Sequence, residues 1–431
     1  MYRVWGFIED YSILLIVGSV LALVWANADP AGYRFFVDYP LWLNDWIGAD
    51  IHHWLPHHAA EYGLDETGAV RVLTIHFLVN DILMAFFFAV AAKEVWEAIA
   101  LGDGSLRGRT AATPLIATLG GMLGPIAVYL GLAWCLGPDG FDTVSRGWAV
   151  PTATDIAFSY LVGRLVFGPA HPAVNFLLLL SIADDAGGLV ILAIFYPSGD
   201  LAPEWLLFSL AAAVAVYLLA NVLPRRLDRH DQERPHSTWV RKRLGVLPYA
   251  MAGAMSWYGF QQLGLHPALG LLPIVPTIPH AERAFGIFHA AERYLSDLLN
   301  RIQKLLRHPV EFILFLFGLL NAGVAFQSIG SPTWLVLAGL LVGKPLGIFA
   351  FGWIAAKPMG LGLPRGMRTA DLVVVGCTAA IGFTVSLFVA SVAFGAGAVQ
   401  DAAKMGALFS FSAAAMAWLA GRLFRVERQK A

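Results

Sequence analysis

The sequence predicts an all-α polytopic membrane protein of about 12 transmembrane helices, on three observations. First, 58% of its 431 residues are hydrophobic and only 14% are Asp, Glu, Lys or Arg, whereas soluble chains carry roughly a quarter charged residues. Second, several apolar runs approach or exceed the ~20 residues that cross a ~30 Å hydrocarbon core. Third, charged residues gather between the runs, so the few inside them stand out. Length alone gives about three soluble domains; the recurring spans argue instead for one membrane domain over 1–431, embedded from about 11 to 424. The net charge of -1 gives no sign of a nucleic-acid partner. Cys135 and Cys377 both fall in apolar runs and supply neither a disulfide framework nor metal-ligand spacing.

Taken in order, the runs place helices near 11–28, 70–99, 113–136, 149–167, 172–196, 203–223, 244–262, 265–279, 309–328, 333–356, 371–395 and 402–424. The first ends in WANADP, where Ala26-Asn27-Ala28 imitates a signal-peptidase site. Its leader sets Arg3 against Glu9 and Asp10, a poor positive flank, so the segment is expected to stay as the first helix. The seventh and eighth are interrupted by His266-Pro267 and by prolines 273, 276 and 279.

Twelve spans put both termini on one face, and the basic residues test that arrangement. Arg34, Arg71, Arg146 and Lys404 fall on or near the opposite face and Lys344 inside a span, while the remaining 24 of 29 Lys and Arg fall with the termini. This is the positive-inside asymmetry, so both termini are expected in the cytoplasm. Residues 225–243 and 280–307 are then the long cytoplasmic loops. In the second, Phe288, Leu295, Leu298, Leu299, Ile302 and Leu305 recur near helical spacing, as in an interfacial amphipathic helix. Residues 29–69 form a periplasmic loop rich in aromatics. Its HHWLPHH stretch (His52, His53, His57, His58) reads as wet loop in preference to a metal site.

Four charges lie where hydrocarbon should surround them. Asp184 and Asp185 are the only charged residues in the 25 from Pro172 to Tyr196, and Lys344 is eleventh of the 23 from Trp334 to Ala356. Each costs about 2.5–3.5 kcal/mol at the bilayer centre even on the mildest scale, so such residues pair or face a wet cavity. Snorkelling serves helix ends and does not account for Lys344. Asp155 is the fourth, in VPTATDIAFSYLVG, where Pro151 and two threonines interrupt a short span. Non-helical backbone at that depth needs protein or water to satisfy it. The alternative is that Asp155 simply caps a helix.

An internal comparison favours the unwound reading. TATDIAFSYLV from Thr152 lines up without gaps against CTAAIGFTVSLFV from Cys377, and each follows a glycine-rich helix, LGGMLGP at 119–125 and LLVGKPLG at 340–347. Weak symmetry between two interrupted spans points to a transporter built from repeats, and the odd separation of spans 4 and 11 makes those repeats inverted. Facing half-helix N-termini call for an aspartate and facing C-termini for a lysine, roles suited to Asp155 and Lys344. The Asp pair remains as the exchangeable site. Adjacent helix residues point about 100° apart, so one aspartate can line a funnel and take a cation while the other turns to Lys344. Gly187 and Gly188, small residues beside the pair, are expected to let the broken helix carrying Asp155 approach closely. Competition between protons and a monovalent cation at two carboxylates gives antiport, and unequal charge in the two loaded states lets voltage drive it.

LSIADDAGGLVILAIFY, VPTATDIAFSYLVG, LVGKPLGIF, IGFTVSLFVASVAF and VNDILMAFFFAVAAKE resemble, in order and context, motifs of the bacterial NhaA-type sodium/proton antiporters, with shorter echoes in ATPLIATLGGMLGP, GLHPAL and LLNAGV. The resemblance covers about 11–395. It implies inverted repeats with two interrupted, crossing helices, an architecture for which this family is itself a standard example. It implies that Asp185 is the principal cation and proton carboxylate and that Asp184 is its partner, linked to Lys344. It further implies that Thr154 is near the ion, that Asp155 compensates half-helix N-termini, that Lys344 faces the opposing C-termini, and that Glu94 takes part in pH regulation. Around Glu94 the family reads approximately G-L-E-x-K-R-E, whereas this chain reads AAKEVWEA: Lys93 is added, the basic pair is absent and Ala98 replaces the second acid.

The expectation is therefore an electrogenic, pH-regulated antiporter of the bacterial inner membrane that exchanges cytoplasmic Na+ or Li+ for external H+. It needs no cofactor, works in the lipid bilayer, and on family analogy is a homodimer. No P-loop or nucleophile-base constellation marks the chain as an ATPase or enzyme. The alternatives are a sodium-coupled organic-anion symporter on a similar fold, which would need more polar groups beside the crossing, and a transport-inactive regulatory membrane homologue.

Overall fold

The structure, a computed structural model, describes residues 13–51, 70–100, 109–199, 201–229, 235–279 and 298–429. Six of its helices are long and apolar enough to cross a membrane: Ile75–Ala100, Ala111–Trp134, Pro172–Phe195, Glu204–Leu227, Ser331–Ala356 and Ala398–Leu423. A seventh span comes from Thr369–Ala379 and Phe383–Ala393, which meet at 54° across a short break. The shorter apolar helices Ile13–Ala28 and Ile156–Phe167 accompany them. With these spans the chain is a multi-pass integral membrane protein.

The elements arise from local chemistry. Leu247–Leu263 stops at Gly264, which takes the left-handed conformation (φ 84°) that glycine adopts freely. Beyond it, the expected eighth helix over 265–279 is replaced by successive tight turns, with 3-10 turns at Pro267–Leu269 and Val275–Thr277. Their hydrogen bonds run from residue i+3 back to i, as from Leu269 N to His266 O and from Ile274 N to Leu271 O. Prolines lack the amide an α-helix needs at these positions.

Three of the expected loops carry structure. Within 29–69, Asp29 caps the helix Pro30–Val37 by accepting from Gly32 N, and strands β1 (Pro40–Asn44) and β2 (Ala49–Asp50) come next. Both pair antiparallel with β3 (Arg71–Thr74), giving the order β1-β3-β2. The second span therefore begins at Ile75, not 70, with Thr74 accepting from Phe77 N as its cap. In the segment 280–307, residues 298–307 form the first turns of one helix, Leu298–Asn321, which runs through Pro309 into the expected ninth span. The rest of that segment, with Phe288 and Leu295, lies outside the described residues, as does the histidine stretch. The loop 225–243 contains a short helix, Pro235–Trp239.

Several long helices contain π turns, including Leu78–Leu83, Tyr217–Val222 and Gly339–Gly343. Each opens the helix by one residue and rotates the downstream half of the helix to a new direction.

Glycine governs two close helix contacts. A Cβ at Gly124 would collide with the Gly343 carbonyl, and one at Gly347 with the Gly120 carbonyl, so the glycine-rich helices Arg109–Trp134 and Ser331–Ala356 meet backbone to backbone. Ile13–Ala28 packs in the same way on Leu298–Asn321. There a Cβ at Gly18 would strike Phe315 O, and Gly318 lies against Leu15 and Ser19. The first helix is thus a packed part of the fold.

Candidate functional site

Two breaks in the helical chain meet in the interior. The first comes after a 3-10 helix, Ser145–Thr152, and leaves residues 153–155 extended before Ile156–Phe167 begins. The second separates Thr369–Ala379 from Phe383–Ala393. An unwound backbone inside protein must find partners, and each break supplies them to the other. Asp155 N donates to Ile381 O at 2.7 Å, Thr154 Oγ1 to Ala379 O at 3.1 Å, Ser386 Oγ to Val150 O at 2.7 Å and Ser159 Oγ to Thr378 O at 3.0 Å.

Asp155 ends two helices at once. Its Oδ1 accepts from Phe158 N at 3.3 Å, in the first turn of Ile156–Phe167. Its Oδ2 accepts from Thr384 N at 3.2 Å and from Thr384 Oγ1, in the first turn of Phe383–Ala393. The two readings of this residue are therefore one: it is a cap, and it caps both half-helices. A carboxylate at a helix N-terminus is favoured by the free amides and the helix dipole.

Lys344 is fully buried at the start of the α-helical stretch after the Gly339–Gly343 turn. Its Nζ lies 2.8 Å from Asp184 Oδ2 and also donates to the Thr152 carbonyl, at the C-terminal end of the 3-10 helix. One ammonium thus neutralises a carboxylate and a helix C-terminus together.

The Asp pair is divided by its helix, Pro172–Phe195. Asp184 is 2% exposed and held by Lys344, with Thr154 beside it. Asp185 is only half-buried, and no hydrogen bond or ion pair ties it to any described residue. The neighbour that Gly187 admits is not the helix carrying Asp155, contrary to the expectation from small residues beside the pair. A Cβ there would strike Met122 of the glycine-rich helix, while Gly188 has nothing within 4 Å.

Asp155, Thr154, Asp184 and Lys344 are thus gathered around the two breaks, with Asp185 next to them on its helix. Glu94 belongs to a separate cluster. Its Oε1 is 3.2 Å from Lys93 Nζ and accepts from Gln303 Nε2 at 3.3 Å, and the same lysine lies 2.7 Å from Glu97 Oε2. The extra Lys93 therefore sits buried between two carboxylates. Thr384, Ser386 and the Thr152 carbonyl do not stand out in the sequence. The one signal for Thr384 is its place two residues after the interrupted Gly382, equivalent to the cap region after Asp155.

With this geometry in hand, comparison with known proteins is direct. The family described as Na+/H+ antiporter 1 matches residues 9–421. The chain is 66% identical over 430 residues to the Na(+)/H(+) antiporter NhaA of Jannaschia sp. (strain CCS1), covering 100% of both. It is 40% identical over 424 residues to that of Geobacter sulfurreducens, covering 98% of both. It is 42% identical over 434 residues to that of Desulfitobacterium hafniense, covering 99% of this chain and 97% of the relative. A sodium proton antiporter structure from Methanocaldococcus jannaschii is similar at 14% identity and a TM-score of 0.46, covering 98% of this chain and 100% of that one, too distant to carry argument. With a family match over nearly its whole length and relatives this similar end to end, the chain belongs to the Na+/H+ antiporter 1 family, that of the NhaA proteins.

Proposed function

We propose that the protein is an electrogenic, pH-regulated secondary antiporter that moves Na+ or Li+ out of the cytoplasm in exchange for entering H+. One observation carries the reading: Lys344 binds Asp184 and leaves the adjacent Asp185 with no hydrogen bond or ion pair among the described residues, beside the two breaks. Asp185 is then the carboxylate that takes the cation or the proton, with Asp184 and Thr154 supplying further oxygens. Asp155 and Lys344 hold the half-helix ends that frame the site, and Glu94 sets the pH response. The double capping by Asp155 supports two crossing, interrupted helices related by inverted repeats, within about 12 crossings of one domain. The distribution of Lys and Arg supports cytoplasmic termini in a bacterial inner membrane. The sheet of β1, β2 and β3, with Leu41 and Trp42 exposed, supports a homodimer through the 29–69 region. The protein is a carrier and not an enzyme, with no cofactor in its cycle.

The test is cation-driven proton movement in everted vesicles over a pH series, then the purified protein in liposomes under an imposed potential. Addition of Na+ or Li+ moves protons, and the rate tracks the potential. Protons that fail to move would defeat the antiport reading, and a rate indifferent to potential would remove its electrogenic part.

A further inference from the structure

We infer that Ser181 is a further oxygen ligand of the transported cation, one helical turn before the Asp pair. This deepens the proposed function and rests on it.

Two buried oxygens near the pair make no hydrogen bond of ordinary geometry among the described residues: Ser181 Oγ, and Asp184 Oδ1, which has Thr154 beside it. Ser181 is 1% exposed and Asp184 2%. A serine inside a helix ordinarily satisfies its hydroxyl on the carbonyl one turn back, and a buried polar group without a partner calls for an explanation. Two such oxygens on one face of one helix share a single explanation if a cation completes them.

Helix geometry brings them together. Ser181 stands three residues before Asp184 and four before Asp185, the spacings that place side chains on one face. At 3.6 residues per turn its direction falls between the two aspartates, about 60° from one and about 40° from the other. Side chains lean toward the N-terminus of their helix, so both carboxylates reach back over the turn that carries Ser181. Neighbouring groups leave the hydroxyl to this use. Thr118 Oγ1, on the packed glycine-rich helix, is committed to Pro114 O at 3.0 Å and Leu180 O at 3.3 Å. Lys344 is committed to Asp184 Oδ2 and Thr152 O. Thr154 Oγ1 donates to Ala379 O and lies beside Asp184.

Oxygen ligands suit a hard cation, and a hydroxyl serves both loaded states. With a cation bound, the Ser181 lone pairs coordinate it. With a proton bound instead, the same oxygen accepts from the carboxylic acid. The serine neither titrates nor carries charge, so its influence falls on cation affinity and on the balance between Na+ and Li+.

The experiment compares wild type, Ser181→Ala, Ser181→Thr and Asp185→Asn at matched expression in everted vesicles, measuring apparent KM and maximal rate for Na+ and for Li+. Loss of one oxygen ligand raises the KM of Ser181→Ala roughly 3- to 10-fold, and by different factors for the two ions, at a near wild-type maximal rate. Ser181→Thr keeps the wild-type KM. The purified proteins give a second readout, because Li+ raises Tm by binding the folded state and Ser181→Ala then needs more Li+ for the same shift. An unchanged KM for both ions in Ser181→Ala overturns the inference. So does equal weakening by Ser181→Ala and Ser181→Thr, which assigns the effect to packing. Full cation-driven activity in Asp185→Asn would instead sink the underlying site, and a silent Asp185→Asn beside an unaltered Ser181→Ala sinks only the serine.

Discussion

Thr384 binds Asp155 twice, through its amide and through its hydroxyl, across 229 positions of sequence. The contact turns a helix cap into a joint between the two interrupted segments. Hydrogen bonds to a charged group contribute about 1.5–3 kcal/mol each, so Thr384→Val, which keeps the shape and loses the hydroxyl, lowers stability by about that amount. Thermal unfolding of the purified protein reads the loss, and Thr384→Ser restores most of it. An unchanged Tm in Thr384→Val would remove the hydroxyl from the joint.

Asp185 is expected to behave oppositely. With no hydrogen bond or ion pair among the described residues, its replacement by Asn costs no such contact, and Tm stays level or rises. Cation-driven proton movement falls to background in the same variant. Activity retained together with stability would place the exchanging carboxylate elsewhere.

Breaking the Lys344–Asp184 pair strands a buried charge, which costs about 3–5 kcal/mol. Lys344→Gln and Asp184→Asn, each alone, therefore unfold well before wild type, whereas the two combined, neutral on both sides, recover a large part of the loss. Two single variants and one double form a cycle in which the coupling is read directly. Additive losses would mean that the two groups do not depend on each other.

Two glycines of the same composition should differ sharply. Gly343→Ala puts a methyl group against the backbone of Gly124 and Pro125, and overpacking of this kind costs about 1–3 kcal/mol. Gly188→Ala meets nothing within 4 Å and leaves Tm at or slightly above the wild-type value through helix propensity. Equal effects in thermal unfolding would show that backbone contact does not hold the glycine-rich helices together.

Much of the site was legible because hydrocarbon makes charge conspicuous. Asp184, Asp185 and Lys344 each interrupt an apolar run, and the partnership of Lys344 with Asp184 comes from there being one mid-span cation available. Asp155 was legible through Pro151 and its neighbouring threonines. Thr384 was not, since a threonine is unremarkable in an apolar helix until folding places it against a carboxylate. The three-stranded sheet escaped for a similar reason. β1 and β2 are short and pair with β3 at a distance in sequence, and neither length nor alternation marks them strongly. The segment 265–279 showed its prolines, but not the donors that hold its tight turns from other helices, Ser256 Oγ to Gly270 O and Asn221 Nδ2 to Thr277 O.

The π turn at Gly339–Gly343 sets an angular phase. It inserts one residue's worth of rotation, about 100°, immediately before Lys344. An ordinary α-helical register through those five residues would carry the ammonium around the helix, away from Asp184 and Thr152. The aim of the buried lysine is therefore written in the backbone upstream of it. A single-residue deletion in that turn removes the extra residue and lets an ordinary α-helix deliver Lys344 at the same angle, whereas winding all five residues as α would misdirect the charge while leaving every participating side chain in the sequence.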